Sequence, residues 1–451
     1  MSGIAGIAKP VDRDEVERML DRIAYRGSGE PKVFEVAGAT LGVIHAKAQP
    51  AGPVVKSDAV EDYVSEGHFA EARAVNGRLE LRRDPLGVSP LYFGYTEGGT
   101  LCFASEVKAL MQATQHVVEL PPGCSFVGDR CQTKAGLQTQ PPITDPPDVI
   151  ARELRRRLEG AVRKRIPGPV YGAWLSGGLD SSAMAALARP HVTTLHTFAV
   201  GLAGAPDLEY AREVAERLDA EHHEVVVKDV GAILRAMPDV IYHLESFDAL
   251  LVRSSLLNYM VGKLAAEQVP EVLSGEGGDE LFAGYEYLKS VKQEGLAAEL
   301  LEITNGLHNN ALQRVDRCAS AHGLMAHVAF LEPDVVEYAL RIPVGLKIRD
   351  GVEKWILRQV VEGMLPERVV HRPKAKFWEG AGVGELLARV ADERITDEDF
   401  RRERELPNGW TLNTKEELMY YREFKNHFGS LSDLTWMGRT KGAPVAVRLP
   451  A

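Results

Sequence analysis

A phosphate-binding loop between a strand and a helix constrains this chain more than any other feature of its sequence. The loop spans residues 175–182, Leu-Ser-Gly-Gly-Leu-Asp-Ser-Ser, and follows the apolar, strand-like run 169–174. Residues 183–188 have strong helix propensity, so the predicted order is strand, loop and helix. Adjacent glycines let backbone N–H groups approach an anion, the serines add hydroxyl donors, and the helix start adds its positive dipole end. The sequence therefore predicts an anion cradle at a strand end.

The composition of this loop favours pyrophosphate as its anion rather than a γ-phosphate. It lacks the Gly-Lys-Ser/Thr ending of loops that serve γ-phosphate transfer, and it carries Asp180 instead. Because a carboxylate cannot contact phosphate oxygens without a cation between them, Asp180 implies a bound Mg²⁺ ion. The loop resembles the pyrophosphate loop of the N-type ATP pyrophosphatases, which activate a carboxylate as an adenylate. Taken alone, the same residues are also compatible with an ordinary Ser-Gly-Gly turn.

Length, composition and charge exclude several classes of protein. The chain has 451 residues, enough for two or three domains, and its 45% hydrophobic and 26% charged residues are typical of a globular protein. No apolar run is long enough to span a bilayer and no signal peptide is recognisable, so we expect a cytoplasmic protein without membrane association. A net charge of −11 and the lack of long basic runs argue against a nucleic-acid partner.

The cysteines give no sign of a metal site. Cys102, Cys124, Cys131 and Cys318 form no Cys-x-x-Cys pair and have no histidine cluster near them. The sequence therefore predicts reduced thiols and no zinc site.

The pattern of secondary-structure signals divides the chain in two. Short strand-like runs broken by glycine and proline, such as 39–45 and 101–104, predict a β-rich domain over residues 1–135. Residues 136–150 are rich in proline, which disfavours helix and central strand, so we place a linker there. Residues 151–451 form the second predicted domain.

Strands alternate with helices in this second domain. Strand-like runs lie at 170–175, 195–200, 223–227 and 269–273, with helical runs after Ser181 and over 209–218. Such alternation predicts an α/β domain with a doubly wound parallel sheet, followed by a mainly helical extension. Ligands of such sheets bind at the carboxyl ends of the strands, where the first loop lies.

A second glycine-rich loop, residues 274–280 (Ser-Gly-Glu-Gly-Gly-Asp-Glu), also follows a strand-like run. The glycines beside Glu276 make room for a bulky ligand, and Asp279 offers a second oxygen ligand that would share Mg²⁺ with Asp180. In isolation, the first interpretation of the segment would be an acidic turn that caps a helix through Asp279.

A third segment, residues 371–382, contains Lys374 directly after a proline that restricts the backbone. A positive charge placed there would neutralise charge that develops on pyrophosphate. The alternative for a lysine-rich loop on its own is a solvated surface.

These three segments, in this order and spacing, resemble the synthetase domain of glutamine-dependent asparagine synthetase. Further matches extend the resemblance over nearly all of residues 150–430; they lie at 197–201, 207–212, 222–225, 245–248 and 415–424. In that family ATP converts the side-chain carboxylate of aspartate to an acyl-adenylate, and ammonia then displaces AMP. The resemblance implies an ATP-pyrophosphatase fold for the C-terminal domain, with ATP and Mg²⁺ as cofactors.

The resemblance also implies a role for each matching residue. The residues that would bind ATP or pyrophosphate are Leu175, Ser176, Gly177, Gly178, Asp180, Ser181, Val200, Ser274 and Gly275. Asp180 and Asp279 would bind Mg²⁺. Glu276 would act as the base for the attacking amine, and Lys374 would stabilise the leaving pyrophosphate.

The N-terminal domain resembles the glutaminase domain of the same family, an α+β domain of the N-terminal-nucleophile-hydrolase type. The matches lie at 2–7, 25–27, 83–92 and 104–110. The chain has Ser2 where the family uses a cysteine nucleophile, and a serine hydroxyl needs much stronger activation. Residues 45–49 also lack the arginine that fixes the glutamine carboxylate. We therefore expect a structural lid without glutaminase activity, with free ammonia or another amine as the nucleophile.

Three functions remain open from the sequence. The leading one is asparagine formation from small-molecule substrates, and a homodimer is the assembly that the resemblance suggests. The second is an adenylating amide synthetase with another acid and amine, similar to the β-lactam synthetases or lasso-peptide cyclases. It gains weight from Met325 and His327, which stand where the family usually has charged residues near the site. Glu276 argues against it, because β-lactam synthetases carry tyrosine in that loop. The third is a silent scaffold.

Overall fold

A computed structural model describes residues 2–48, 58–128, 130–133, 136–375, 377–381 and 383–440 of the chain. Within these residues, no helix combines the length and apolar character needed to cross a bilayer.

The N-terminal part contains two antiparallel sheets that share an apolar core. The first has the order β2-β3-β1-β8-β7-β9 and the second the order β11-β10-β6-β5-β4. Their strands are β1 (Gly3–Ile7), β2 (Lys32–Val36), β3 (Ala39–Ile44), β4 (Ala59–Ser65), β5 (His68–Val75), β6 (Arg78–Arg83), β7 (Tyr92–Tyr95), β8 (Leu101–Ala104), β9 (Val118–Glu119), β10 (Cys124–Val127) and β11 (Arg130–Thr133). Side chains from both sheets, such as Leu41 and Leu81, belong to one buried cluster.

The C-terminal part is built on a five-stranded parallel sheet with the order β14-β13-β12-β15-β16. Its strands are β12 (Val170–Trp174), β13 (Thr194–Leu202), β14 (Glu221–Val227), β15 (Glu271–Leu273) and β16 (Met325–His327). A short antiparallel hairpin, β17 (Ile348–Arg349) and β18 (Val352–Glu353), follows in the chain. The predicted α/β class, with a doubly wound parallel sheet, is confirmed. The strand β16 was not predicted, because three residues carry no readable alternation.

Eighteen helices are described. They are α1 (Arg13–Asp21), α2 (Val107–Leu110), α3 (Pro147–Arg163), α4 (Leu179–Ala188), α5 (Pro206–Arg217), α6 (Val230–Leu244), α7 (Ala249–Ala266), α8 (Gly278–Phe282), α9 (Gln293–Asn305), α10 (Ala311–Ser320), α11 (Pro333–Arg341), α12 (Val344–Lys347), α13 (Trp355–Val360), α14 (Glu367–Val370), α15 (Phe377–Gly380), α16 (Gly384–Arg394), α17 (Asp397–Glu403) and α18 (Lys415–Phe428). Eleven of them follow Leu273, as expected for a mainly helical extension.

Two details differ from the sequence predictions. The predicted linker, residues 136–150, overlaps the start of α3, because Pro147 opens that helix at a position where its missing N–H is not needed. Cys124 and Cys131 form a disulfide across the β10–β11 hairpin, so the prediction of reduced thiols is wrong for this pair. The hairpin brings together two cysteines whose spacing carries no Cys-x-x-Cys signal. Cys102 and Cys318 are free and buried.

The two parts of the chain share a continuous core. One buried cluster includes Tyr92 from the first sheet and Trp174 from the parallel sheet. The ring of Tyr92 also meets that of Trp436 edge to face, with 6.3 Å between centroids. The division into domains at residues 135 and 151 remains a prediction.

Candidate active site

The first loop leaves the carboxyl end of β12 and enters α4. Ser176 and Ser181 tie it closed, because their hydroxyl oxygens lie 3.0 Å apart and the Ser181 hydroxyl also accepts a 3.1 Å hydrogen bond from the backbone N–H of Ser176. The Gly178 N–H donates to the Ser176 hydroxyl at 3.3 Å. Gly177 packs against Tyr210 on α5. The loop is therefore held in a fixed shape by its own side chains and by α5.

The second loop leaves the carboxyl end of β15, the neighbour of β12, and packs directly on the first. A Cβ atom on Gly275 would lie 2.7 Å from the backbone nitrogen of Ser181. A Cβ atom on Gly278 would lie 2.6 Å from Oδ1 of Asp180. Glycine is required at position 275 because the two loops touch there through their backbones, and Gly278 leaves room for the Asp180 carboxylate. The pairing of two strand ends, predicted from the sequence, brings Asp180 and Asp279 to one site.

Two lysines lie against these carboxylates. Nζ of Lys354 contacts Oδ2 of Asp180 and lies 2.5 Å from Oδ1 of Asp279. Nζ of Lys374 lies 2.6 Å from the other oxygen of Asp279. Lys354 is 2% exposed, so its charge is held out of water between two aspartates. The cluster balances two negative charges with two positive ones.

The charges in this cluster shift one another's pKa values in opposite directions. Burial raises the pKa of Asp180, and the nearby Asp279 carboxylate adds to the effect, against the pull of Lys354. Burial also acts to raise the pKa of Asp279, but Lys354 and Lys374 outweigh it and lower the pKa overall. Desolvation opposes the charge of Lys374, yet Asp279 and Asp180 raise its pKa. Asp279 is thus the carboxylate that stays ionised most firmly.

The two aspartates fit a divalent cation. Oδ1 of Asp180 is buried and accepts no hydrogen bond, so it is an oxygen in need of a positive partner. Carboxylate oxygens are the protein ligands that Mg²⁺ prefers. Asp180 and Asp279 would hold the ion, which would neutralise charge on phosphate oxygens in the cradle.

The sequence analysis missed Lys354, which the β17–β18 hairpin delivers to the site. The hairpin turns through Asp350 (φ 53°) and Gly351 (φ 75°), and Asp-Gly is a strong two-residue hairpin signal. Lys354 itself adopts a left-handed backbone, with φ 55° and ψ 28°. A bulky residue in that region is strained, and such strain is often found at functional sites. The Asp-Gly pair is the sequence signal from which this hairpin could have been predicted.

Further charged side chains line the same cleft as the cradle and the lysines. They are Asp207, Glu353, Arg358 and Arg372. Arg372 contacts Asp207 and lies over the ring of Tyr210, 4.1 Å from its centroid. Arg358 donates to Glu353 at 2.6 Å and to the backbone of the segment before Lys374. These ion pairs fix the third predicted segment over the cradle.

Comparison with known proteins identifies the family. The family model described as asparagine synthase matches residues 153–300 and 290–441, more than half of the chain. The chain belongs to the asparagine synthase family. Asparagine synthetase B of Escherichia coli, described as glutamine-hydrolysing, is 33% identical over 420 residues, which cover 87% of this chain and 74% of that protein. A probable asparagine synthetase of Schizosaccharomyces pombe, described as glutamine-hydrolysing, is 35% identical over 390 residues, which cover 77% of this chain and 69% of that protein.

Membership in the asparagine synthase family confirms the predicted enzyme class. The chain is an ATP-using carbon–nitrogen ligase of the AMP-forming type. A glutamine amidotransferase domain model matches residues 58–123 of the N-terminal part. Among solved structures, an NMN synthetase from Francisella tularensis matches with a TM-score of 0.29 and 13% identity over 64% of this chain and 97% of that one. So distant a match adds nothing to the assignment.

The predicted site residues not yet described fall into two groups, one buried and one partly exposed. Leu175 and Ser274 are buried and directly follow β12 and β15, and Val200 is buried near the carboxyl end of β13. Glu276 lies on the second loop and pairs with Arg314 of α10, which the sequence analysis did not single out. Glu276 is partly exposed, with 27% of its side chain accessible.

Met325 and His327 lie on strand β16, the neighbour of β15, and the carbonyl oxygen of His327 accepts a 2.8 Å hydrogen bond from the N–H of Ser274. Nε2 of His327 lies 2.7 Å from a carboxylate oxygen of Glu271, and burial lowers the pKa of the imidazole. Met325 packs with Ala46 and Val64 of the N-terminal part. His327 is thus tied to the neighbouring strand β15, and Met325 packs against the N-terminal part.

Ser2 is fully buried at the start of β1. Its hydroxyl accepts a 3.3 Å hydrogen bond from the backbone N–H of Ala46, and its carbonyl accepts a 2.7 Å bond from Nε of Arg26. The amidotransferase match begins at residue 58 and does not include this serine.

Proposed function

We propose that this protein makes asparagine from aspartate and free ammonia, with ATP cleaved to AMP and pyrophosphate. The observation that carries the proposal is the convergence of Asp180, Asp279, Lys354 and Lys374 at the ends of two neighbouring parallel strands. Such a site suits pyrophosphate, a leaving group whose negative charge is spread over the oxygens of two phosphate groups. The homology to asparagine synthetases supports aspartate as the acid.

The reaction we propose has two steps. A side-chain oxygen of aspartate attacks the α-phosphorus, the bond from the α-phosphorus to the bridging oxygen of pyrophosphate breaks, and the cradle with its two lysines receives the leaving group. Ammonia then attacks the acyl carbon, the bond to AMP breaks, and Glu276 accepts the proton that the nitrogen loses. Arg314 holds the Glu276 carboxylate in place through their ion pair. An Mg²⁺ ion at the aspartates would offset the phosphate charge.

We propose that the N-terminal part, residues 1–135, is a lid that hydrolyses no glutamine. A serine replaces the nucleophilic cysteine of the family, and its hydroxyl is buried against the backbone of Ala46. Cytoplasmic location and homodimer formation also remain predictions.

The test is exchange of labelled pyrophosphate into ATP, screened over aspartate and other carboxylic acids. We expect exchange with aspartate, and asparagine formation when ammonium is added but not when glutamine is added. Exchange with a different acid would support the amide-synthetase alternative, and no exchange with any acid would support a silent scaffold. Amide formation from glutamine that Ser2→Ala abolishes would overturn the proposed role of the lid.

A pair of variants tests the second step. We expect Glu276→Gln to keep pyrophosphate exchange and to lose amide formation, because only the second step needs its carboxylate. Glu286→Gln, with 78% of its side chain exposed, is the matched control and should retain both activities. Full amide formation by Glu276→Gln would contradict the role assigned to this residue.

A further inference from the structure

We propose that His196, Glu221 and His223 form a binding site for a divalent transition-metal ion of the zinc class. The site is separate from the catalytic cleft, and the inference does not rest on the proposed function. His196 is the third residue of β13, while Glu221 and His223 are the first and third residues of β14. The cluster therefore lies toward the amino ends of strands whose carboxyl ends face the cleft.

The parallel pairing of β13 and β14 brings the three side chains together. His196 lies opposite Glu221, and Phe198 lies opposite His223. Residues two apart on a strand point to the same face, so Glu221 and His223 share the face of the sheet that His196 occupies. No short sequence motif reveals the cluster, because its members come from two strands joined by helix α5.

The distances suit a tetrahedral metal ion. Nδ1 of His196 lies 3.0 Å from Nε2 of His223 and 3.6 Å from Oε2 of Glu221. All three ligand atoms lie within 4.8 Å of one another. Because Zn–N and Zn–O bonds are about 2.0–2.2 Å long, tetrahedral ligand atoms lie about 3.3–3.5 Å apart. Shifts of less than about an ångström in side-chain position would therefore complete a three-ligand site.

The surroundings of the cluster hold the ligands while leaving the metal position open. His196 is buried, and the ring of His223 stacks on Phe198 with 5.1 Å between centroids and 17° between planes. The Glu221 side chain is 64% exposed, so an ion and a water molecule can enter from solvent.

The ligand types select the class of metal. Two imidazole nitrogens and one carboxylate suit Zn²⁺, Co²⁺ or Ni²⁺, whereas Mg²⁺ prefers oxygen ligands alone. The His196 cluster and the Asp180 cluster should therefore bind different ions. A metal that joins β13 to β14 would stabilise this side of the parallel sheet, because it binds the folded chain and has no preformed site in the unfolded one.

Cobalt spectroscopy on the full chain without an affinity tag tests the proposal. After treatment with a chelator, we expect one equivalent of Co²⁺ to give the intense visible bands of tetrahedral cobalt, and Zn²⁺ to bleach them. Loss of an outer-shell partner typically weakens metal binding about 10–100-fold, so loss of a direct ligand in Glu221→Gln or His223→Ala should weaken it at least that much. Zn²⁺ should raise the melting temperature of the wild type but not of these variants.

His191→Ala is the matched control, because His191 is an exposed histidine just before β13. We expect this variant to bind cobalt as the wild type does. Absence of tetrahedral bands in the wild type, or binding that survives unchanged in both Glu221→Gln and His223→Ala, would overturn the proposal. Pyrophosphate exchange with Mg²⁺, measured on the same variants, reports separately on the proposed function and should be retained.

Discussion

The ammonium group of Lys354 lies between the carboxylates of Asp180 and Asp279, with almost no exposure to solvent. Two carboxylates placed this close repel each other strongly in a medium of low dielectric constant. Lys354 offsets that repulsion in the free protein, and we expect its charge to face the phosphate oxygens of a bound nucleotide. Its ion pairs with both aspartates hold the amine in place, so little reorganisation is needed during the proposed reaction.

We expect Lys354→Met to lower the rate of pyrophosphate exchange by about 10²–10³-fold, the usual effect of removing one preorganised group that stabilises the transition state. Lys164→Met is the matched control, because this lysine pairs with two glutamates and is 52% exposed. Exchange assays on both variants, with thermal unfolding to show that each is folded, check the prediction. An exchange rate close to that of the wild type in Lys354→Met would contradict the role given to this amine.

At the scale of elements, the site is an assembly of four segments on one edge of the parallel sheet. The loops after β12 and β15 meet through glycine, the β17–β18 hairpin inserts Lys354, and the segment around Lys374 covers them. The chain after α8 also approaches closely, because a Cβ atom on Gly284 would lie 2.0 Å from Oδ1 of Asp279 and 2.2 Å from Cε of Lys354. The absence of a side chain at these glycines is therefore as important to the site as its charges.

Gly284→Ala should abolish most of the exchange activity, because its methyl group would displace the Asp279 carboxylate or the Lys354 side chain. Gly295→Ala is the control within helix α9, where the nearest atom to the new methyl group is 4.0 Å away. We expect Gly295→Ala to keep full activity and to gain about 0.5–1 kcal/mol of stability from helix propensity. Equal activities of the two variants would show that the tight packing at Gly284 is unimportant.

The sequence was most informative where the functional residues directly follow a recognisable strand in the same segment. The loops at Ser176 and Ser274 each follow a buried strand, so their meeting at one sheet edge could be predicted from the alternation of strands and helices. Lys354 and Arg314 could not be placed in this way, because a hairpin and a helix far along the chain bring them to the loops. The same limit applies to His196 and His223, which meet only through strand pairing.

At the scale of the whole molecule, buried charges join the two parts of the chain. Arg26, near the start of the chain, is fully buried and donates to both carboxylate oxygens of Asp316 on α10, at 2.8 and 2.9 Å. It also donates to Glu106 at 2.6 Å. The helix α10 carries Arg314, the partner of Glu276, so the N-terminal part supports the element that pairs with the proposed base. This contact gives the proposed lid a structural role that does not depend on glutaminase activity.

Arg26→Met should destabilise the protein by about 3–5 kcal/mol, because the buried Asp62 loses the cation that it pairs with, and Asp316 and Glu106 keep only their ion pairs with Arg317 and Lys108. Arg13→Met is the control, since Arg13 pairs with Glu17 at the surface and is 53% exposed; its effect should stay within about 0.5 kcal/mol. Urea unfolding of both variants measures the difference. A similar midpoint for Arg26→Met and the wild type would contradict the stabilising role of this network.

The pH dependence of stability tests a second contact between the two parts. Nε2 of His68, on β5, lies 2.9 Å from the carbonyl oxygen of Leu331, and burial lowers the pKa of this histidine from 6.5 to about 3. The unfolded chain therefore binds one more proton at this residue between these pH values. His68 contributes stability at neutral pH that is lost as the pH falls below 6.5.

The comparison of the wild type with His68→Gln isolates this contribution. On acidification below pH 6.5, the wild type should lose stability more steeply than the variant, by about 1.4 kcal/mol per pH unit. His191→Gln, which changes an exposed histidine, should keep the slope of the wild type. Parallel curves for the wild type and His68→Gln would show that His68 is not held neutral by burial.

Identification of the phosphorus-containing products tests the central claim, that the paired aspartates and lysines receive pyrophosphate. The protein is incubated with ATP, Mg²⁺, aspartate and ammonium, and the products are followed by phosphorus NMR. The structure predicts AMP and pyrophosphate in equal amounts, formed together with asparagine, and neither product in the Lys354→Met variant at a comparable rate. Release of ADP and orthophosphate would contradict the account.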